Sequence, residues 1–284
     1  MKILFLSISI LIFSHPTYSQ INNQLSPVNY YSNGTGAVSS ATGGAGVAVA
    51  DLDDSALMNP ASVPLYRQKE MSLSYSKDRF SGFIADNGKE AAFPAAIGYE
   101  QYSNNFFKNK IYHLILAYPV FQNLSAGIDL NLNETKLLNM DVTYRQTRVN
   151  LGLIWQPLKT FSFGLVHKNR ALSDTDLADS IDHISITTLG MAYVYQSFAQ
   201  IRFDIETVEK QPSDQFIYKL GLETYLNDWV ITRFGYRNDN INAMNFTTAG
   251  LGFAGPQFGL HYAYQAEAKS LIDPIHIIDL TVPF

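Results

Sequence analysis

From residue 69 to the carboxyl terminus the chain repeats one pattern. Apolar and polar side chains alternate over a short run, break at a turn, and alternate again. Ile278, Leu280, Val282 and Phe284 share one parity; Ile277, Asp279, Thr281 and Pro283 share the other. Met71, Leu73 and Tyr75 alternate with serines. Leu124, Ala126, Ile128, Leu130 and Leu132 oppose Ser125, Gly127, Asp129, Asn131 and Asn133. Val149, Leu151, Leu153 and Trp155 oppose Arg148, Asn150 and Gly152. Ile201, Phe203 and Ile205 oppose Arg202, Asp204 and Glu206. Phe216, Tyr218, Leu220 and Leu222 oppose Lys219, Gly221 and Glu223, and Phe258 to Tyr264 behaves alike. A period of two marks strands with one apolar face. It permits a soluble sandwich or a barrel in either solvent.

Connection lengths favour a membrane barrel. Counting back from Phe284, residues 266–274 are long and Gly255-Pro256 is tight. Asn238–Met244 is long, Asn227-Asp228 tight, Lys210–Ser213 medium and Ser197-Phe198 tight. Asn169–Asp182 is long and Pro157–Lys159 short; Glu134–Asp141 is long and Pro119–Asn123 short; Ser103–Lys110 is long. Outer-membrane barrels have short periplasmic turns and longer external loops, and a single chain normally closes with an even strand number. Phe284 then lies at the periplasmic rim, with every tight turn on its side. Twelve strands run from about Phe93 to Phe284. The Met71 strand and a weakly patterned one over Arg79–Ala85 make fourteen. Twelve is the alternative, with residues 69–86 in the lumen. The expected fold is an all-β, transmembrane antiparallel barrel over residues 69–284, with Phe284 ending the closing strand beside Met71.

Composition agrees. Seventeen Tyr and eighteen Phe among 284 residues suit two aromatic girdles at membrane interfaces. No apolar run of about 18 residues follows residue 20, so a spanning helix is not expected. Cysteine is absent, which removes disulfides and thiolate metal sites. Lys2, the apolar stretch Ile3–Phe13 and the small residues Thr17 and Ser19 read as a secretory signal peptide over 1–19, cleaved near Ser19. The mature chain then carries 19 basic and 25 acidic residues. That balance argues against nucleic acid as a partner.

Residues 20–68 differ in kind. Gly34 to Ala50 is built of Gly, Ala, Ser, Thr and Val without strand alternation. Gly43, Gly44 and Gly46 lack the Lys-Ser/Thr that a phosphate loop needs. Close backbone packing against surrounding walls is the better reading. Asp53 or Asp54 is placed to cap a short helix over Ser55–Met58, which Pro60 would end. Asp51, Asp53 and Asp54 lack the longer ligand series of a calcium loop, so no metal or other cofactor is expected.

The stretch Gly43-Gly-Ala-Gly-Val-Ala-Val-Ala-Asp51, followed by Asp53-Asp54-Ser-Ala and Asn59-Pro60-Ala61, resembles the N-terminal hatch of the outer-membrane long-chain fatty-acid transporters (FadL-like). It is also similar to the related barrels of the type IX secretion family (PorV-like). The transporters usually carry an aromatic before Asn-Pro-Ala and Gly after it, where this chain has Met58 and Ser62. The chain is also much shorter than theirs, leaving less for external loops. The resemblance implies fourteen strands in a Gram-negative outer membrane, with residues 20–68 as a luminal plug. It implies that Gly43, Gly44, Gly46, Asp53, Asp54, Asn59, Pro60 and Ala61 form a gating hatch for a hydrophobic solute such as a fatty acid, released sideways through the wall. The PorV-like alternative implies a non-transporting barrel serving secretion-system or surface-assembly partners.

Enzyme signals are sparse: His-Glu-x-x-His and Gly-x-Ser-x-Gly are both absent. Asp179, Asp182 and His183 would sit at the external rim, where a polar loop explains them more simply than an acid–base couple. Asp129, Arg148, Arg202, Asp204, Glu206, Lys219, Glu223, Arg233 and Arg237 all fall on the luminal parity. They line a polar path, or they pair with one another and with the N-terminal segment to fill the interior; buried charge favours pairing. The expected partners are therefore membrane lipid, the barrel assembly machinery and a hydrophobic solute, or else secretion-system proteins. The final aromatic resembles the strand end that the assembly machinery reads on its clients. Deleting Phe284 is expected to lower the amount of folded barrel in the membrane before it alters any activity, measured by heat-modifiable gel mobility of membrane fractions.

Overall fold

The computed structural model describes residues 35–49, 54–139, 142–173, 184–196, 198–209, 211–212, 214–269 and 273–284. The expected signal peptide, Asp53 and the rim residues Asp179, Asp182 and His183 lie outside the described residues. Fourteen strands follow a short helical region: β1 (Glu70–Ser76), β2 (Arg79–Asp86), β3 (Ala95–Ser103), β4 (Phe107–Phe121), β5 (Leu124–Leu137), β6 (Val142–Leu158), β7 (Phe161–Ala171), β8 (Ile186–Tyr195), β9 (Ala199–Val208), β10 (Ile217–Tyr225), β11 (Val230–Asp239), β12 (Met244–Ala254), β13 (Gly259–Glu267) and β14 (Ile275–Pro283). Each pairs antiparallel with its sequence neighbours, and β1 pairs with β14 to close the barrel. Met71 faces Val282, Leu73 faces Leu280 and Tyr75 faces Ile278. Fourteen strands is therefore the architecture, with Arg79–Asp86 in the wall and not in the lumen.

Side chains alternate between a buried inner face and an exposed outer one. The outer face is apolar: Leu130, Leu151, Leu165, Leu189, Ile201, Leu220, Phe234, Leu251 and Ile278 are all exposed. A barrel in water would not present such a belt. Nine-residue strands such as β13 and β14 extend about 30 Å, which at a tilt of about 40° rises roughly 23 Å, close to the apolar band of a membrane barrel. Aromatic girdles bound the belt. On the rim with Phe284, Trp155 stacks on Phe163 at 5.6 Å, Phe161 meets Tyr193 at 6.2 Å and Trp229 meets Phe253 at 5.7 Å. On the other rim Tyr99 meets Tyr112 at 5.4 Å and Tyr264 meets His276 at 5.4 Å. The wall is a lipid-facing, transmembrane type of barrel.

Several expected connections are shorter than the sequence suggests. Pro119 and Pro157 lie within β4 and β6, and the register shifts beside each. A bulge accommodates a residue with no N–H to donate, so these prolines do not end their strands. The first half of Glu134–Asp141 is also strand: β5 runs to Leu137, which pairs with Val142, and Glu134 pairs with Arg145. At Ser103–Lys110, β4 begins at Phe107. Charge on the outer face there removes the apolar alternation but not the ladder. The β4–β6 walls consequently stand above their neighbours on the rim opposite Phe284.

The rule of tight turns on one rim fails at the barrel's first hairpin. Lys77 and Asp78 make a tight β1–β2 turn on the longer-loop rim, and residues 87–94 are a long connection on the other. That connection is used structurally. Asn87 donates to the Tyr66 carbonyl at 3.0 Å, Lys89 donates to that of Arg67 at 2.8 Å, and Lys69 bridges Asp86 and Glu90. It clamps the point where the chain leaves the interior and enters β1.

The lipid-facing assignment has a direct consequence. Leu220→Arg, near mid-height on β10, is expected to destabilise the folded barrel by about 2–4 kcal/mol, whereas Thr224→Arg near the rim should cost about 0–1 kcal/mol. Urea titration of the barrel refolded into phosphatidylcholine vesicles measures both.

Candidate functional site: the filled interior

Residues 35–49 and 54–63 are buried inside the barrel, and Tyr66 closes that stretch. Helix α1 (Ala37–Ala41) is one buried turn of small residues, and its Ala37 and Ala41 pack on Ala263 and Ile277 of the wall. A second short helix, α2 (Ser55–Met58), leads into a 3-10 helix over Pro60–Leu65. Ala and Gly allow this backbone to lie directly on the strands. A Cβ at Gly152 would overlap the Asn59 side chain, and one at Gly164 would overlap the Val47 carbonyl. Gly43 and Gly44 have φ of 69° and 81°, a left-handed turn that suits glycine.

Short helices leave orphan backbone groups, and buried ones need partners. The wall supplies many of these. Asp279 of β14 accepts from the Ala37 N–H. Thr248 donates to the Ala41 carbonyl at 2.8 Å and accepts from the Gly43 N–H at 3.0 Å. Asp204 accepts from the N–H groups of Gly46 and Val47 at 2.8 and 3.2 Å. Ser162 donates to the Ala48 carbonyl at 2.7 Å, and Ser125 donates to that of Ala61 at 2.6 Å. Lys168 donates to the Leu57 carbonyl at 3.0 Å.

Asn59 joins three pieces of chain. Its amide donates to the Val47 carbonyl at 2.7 Å and to that of Leu153, on β6, at 3.2 Å. Its Oδ1 accepts from the Ala61 N–H at 3.0 Å and so caps the 3-10 helix. Pro60 follows at the first helical position, where no N–H is needed. Asp54 departs from expectation. It stands at the start of α2 as the spacing predicts, but its side chain makes no cap. Its carboxylate instead accepts from Ser39 and from Thr35, tying the second inner piece to the first.

All nine luminal charges anticipated from parity face inward and are buried. Glu223 lies between Arg202 at 3.0 Å and Arg233 at 2.6 Å. Lys219 meets Glu206 at 2.7 Å, and Thr188 donates to the same carboxylate. Asp129 accepts from Asn150 at 2.6 Å and contacts His113 Nδ1 at 2.8 Å. The Arg237 guanidinium sits 3.9 Å above the Phe246 ring. An uncompensated charge at such depth costs about 3–5 kcal/mol, which is why the signs interleave. Arg202 also reaches the Thr42 hydroxyl at 3.3 Å, so the network continues into the inner segment.

The interior is thus two-sided. Charges cluster on β9–β11. Toward the Phe284 rim of β2–β4 the filling is apolar: Leu57, Val63 and Tyr66 pack on Phe83, Ala85, Ala96 and Ile115. Between these halves the wall has an irregularity. β6 and β7 shift register between Val149 and Leu151; Asn169 takes φ of 63°, and its N–H donates to Asn150 at 2.7 Å. The pairing around the barrel is nevertheless continuous. The lateral gap that the resemblance implies is therefore closed in this structure.

Sequence reading missed several anchors. Asp279, Ser125 and Ser162 stand on the polar parity of their strands and were legible as inward. Glu100, His113 and Arg79 form a second buried cluster, with Arg79–Glu100 at 2.6 Å and His113–Glu100 at 3.3 Å. β4 carries apolar residues on both faces around His113, which hides its parity.

The chain is a fourteen-strand membrane-type β-barrel with residues 35–49 and 54–63 buried in its interior. No protein-family model matches the chain, and no curated protein matches its sequence. Solved structures share the fold. The toluene transporter TbuX of Ralstonia pickettii superimposes with a TM-score of 0.69 at 11% identity, covering 90% of this chain and 100% of that one. The CymD monoaromatic hydrocarbon channel gives 0.68 at 14% identity, covering 88% and 98%. A Pseudomonas aeruginosa FadL homologue gives 0.62 at 11% identity, covering 88% and 98%.

Close packing at Gly152 makes it a probe of the interior. Gly152→Val is expected to displace Asn59 and expose the inner segment to added protease while the β-sheet circular dichroism is retained. Limited proteolysis of the refolded barrel checks this.

Proposed function

We propose that this protein is an outer-membrane channel for uptake of hydrophobic small molecules, gated by its N-terminal inner segment acting as a hatch. The supporting observation is the position of Asn59. One side chain holds Val47 of the inner segment, the start of the 3-10 helix and the β6 wall together. The β6–β7 bulge is close by, with Lys168 bound to Leu57. Release of a few side-chain hydrogen bonds there frees the segment without disturbing the barrel ladder. The apolar filling toward the Phe284 rim of β2–β4 offers a hydrophobic solute part of its path, and the charged side over β9–β11 anchors what stays still. Long-chain fatty acids are one candidate class. Monoaromatic hydrocarbons, named for the similar CymD channel, are another.

A second reading is favoured by the charged half of the lumen. Paired buried charges make a poor path for an apolar solute. A non-transporting barrel that serves a type IX or surface-assembly system needs no path at all.

Uptake separates the two. Cells carrying the protein should take up labelled oleate or toluene faster than cells lacking it, and Asn59→Ala should change that rate several-fold at equal barrel levels. Equal uptake with and without the protein would overturn the channel reading. Co-purification of partner proteins from detergent-solubilised membranes would then support the second.

A further inference from the structure

Helix α2 begins without the cap that its sequence offers. The Asp54 carboxylate is engaged by Ser39 and Thr35, yet the first-turn N–H groups of a buried helix still need acceptors. Tyr66 supplies one from ten residues beyond. Its hydroxyl accepts from the Ala56 N–H at 2.9 Å and from Ser55 Oγ at 2.8 Å. Its ring lies in the apolar filling, 6.4 Å from that of Phe83. Between α2 and Tyr66 the chain is stiff. Pro60 and Pro64 fix φ at two of the six positions of the 3-10 helix, and Asn59 caps its start. From α2 through Asn59 to Tyr66 the chain is therefore one closed unit, and the Tyr66 hydroxyl closes it.

The backbone of Tyr66 is held from a different place. Its carbonyl accepts from Asn87 Nδ2 at 3.0 Å. Asn87 is buried, but it opens residues 87–94, the longest connection on the Phe284 rim. Asn87 Oδ1 accepts from the Lys89 N–H at 3.1 Å, and Gly88 turns with φ of 78°. A Cβ on Gly88 would lie 2.6 Å from Pro94. From Lys89 to Phe93 the connection is exposed. Tyr66 thus faces both ways, with its hydroxyl on an inner helix and its carbonyl on a surface loop.

We propose that Tyr66 is a positioning residue that couples the β2–β3 connection to the Asn59 hatch. A shift of Asn87 moves the Tyr66 carbonyl. The 3-10 helix carries that movement toward Asn59 as a lever about 12 Å long. The Tyr66 hydroxyl carries it to the start of α2. The buried ring is the pivot, because leaving the apolar filling would cost more than either hydrogen bond. The inference rests on the hatch reading: an inner segment that gates nothing leaves the coupling nothing to regulate.

The test compares variants at equal amounts of folded barrel. Tyr66→Phe keeps the ring and removes the hydroxyl. Asn87→Asp removes the donor to Tyr66 and keeps the acceptor for Lys89. Gly88→Ala meets Pro94 and displaces the same connection by another route. Hydrogen exchange of the 54–63 backbone, followed by mass spectrometry in phosphatidylcholine vesicles, reads the inner segment. Asn87 bonds to Tyr66 and Lys89 and to none of that stretch. Asn87→Asp should nevertheless raise its exchange about fivefold, the effect of one lost hydrogen bond. Gly88→Ala should act in the same direction. The Tyr66→Phe/Asn87→Asp double variant should fall short of the product of the two single effects, because both act on one chain of contacts. Unchanged exchange in Asn87→Asp and Gly88→Ala overturns the coupling. So do single effects that simply multiply, which make Tyr66 and Asn87 separate structural supports. In cells, Asn87→Asp should shift uptake of labelled oleate or toluene in the same direction as Asn59→Ala. No shift with Asn87→Asp, where Asn59→Ala gives one, overturns the coupling and leaves the hatch. No shift with either overturns the hatch reading, and the coupling with it.

Discussion

The β1–β14 ladder is the contact on which the rest depends. In hydrocarbon an unpaired backbone N–H or carbonyl has no water to turn to, so a sheet can stand there only if it has no edge. Pairing Glu70–Ser76 with Ile277–Pro283 removes both edges at once. The rest of the architecture follows from closure. One face must be apolar over the height of the bilayer, and the other is enclosed and must be filled or wet.

This chain fills it. Many inward side chains of the strands are polar, and the inner residues 35–49 are small. Backbone groups of the inner segment meet side-chain groups of the wall: Asp279, Thr248, Asp204, Ser162 and Ser125 each bind main chain. Other wall charges pair across strands, with Glu223 shared by two arginines and Glu206 met by Lys219. Glycines on both partners let the backbones touch, and that nearness makes the hydrogen bonds short. Such an interior is held on its charged side by Asp204, Thr248 and Asp279, and near Asn59 by Ser125, Ser162 and Lys168.

Much of this was legible in the chain. Period-two alternation placed the strands, and their polar parity placed all nine luminal charges. Less legible were the ends of the strands. Pro119 and Pro157 read as turns because a lone proline removes a ladder donor, yet bulges absorb both. Glu134–Leu137 read as loop because strand recognition relied on apolar alternation, which stops at the membrane interface although the hydrogen-bonded ladder continues. His113 escaped notice for the opposite reason: Ile111 and Ile115 flank it on the inner face, so β4 is apolar on both faces there and parity loses its contrast.

The sequence by itself determined an antiparallel barrel with an apolar exterior, since period and face polarity are properties of one strand at a time. It also marked the Gly/Ala-rich stretch as chain that packs by its backbone. Only the tertiary structure decided who meets whom inside. Asn59 finds Val47 and Leu153, Asp54 leaves its expected cap for Ser39 and Thr35, and Asp279 receives the start of α1. These are choices among many polar groups of equal local merit. They are settled by the register of strands far apart in the chain, which no local pattern encodes.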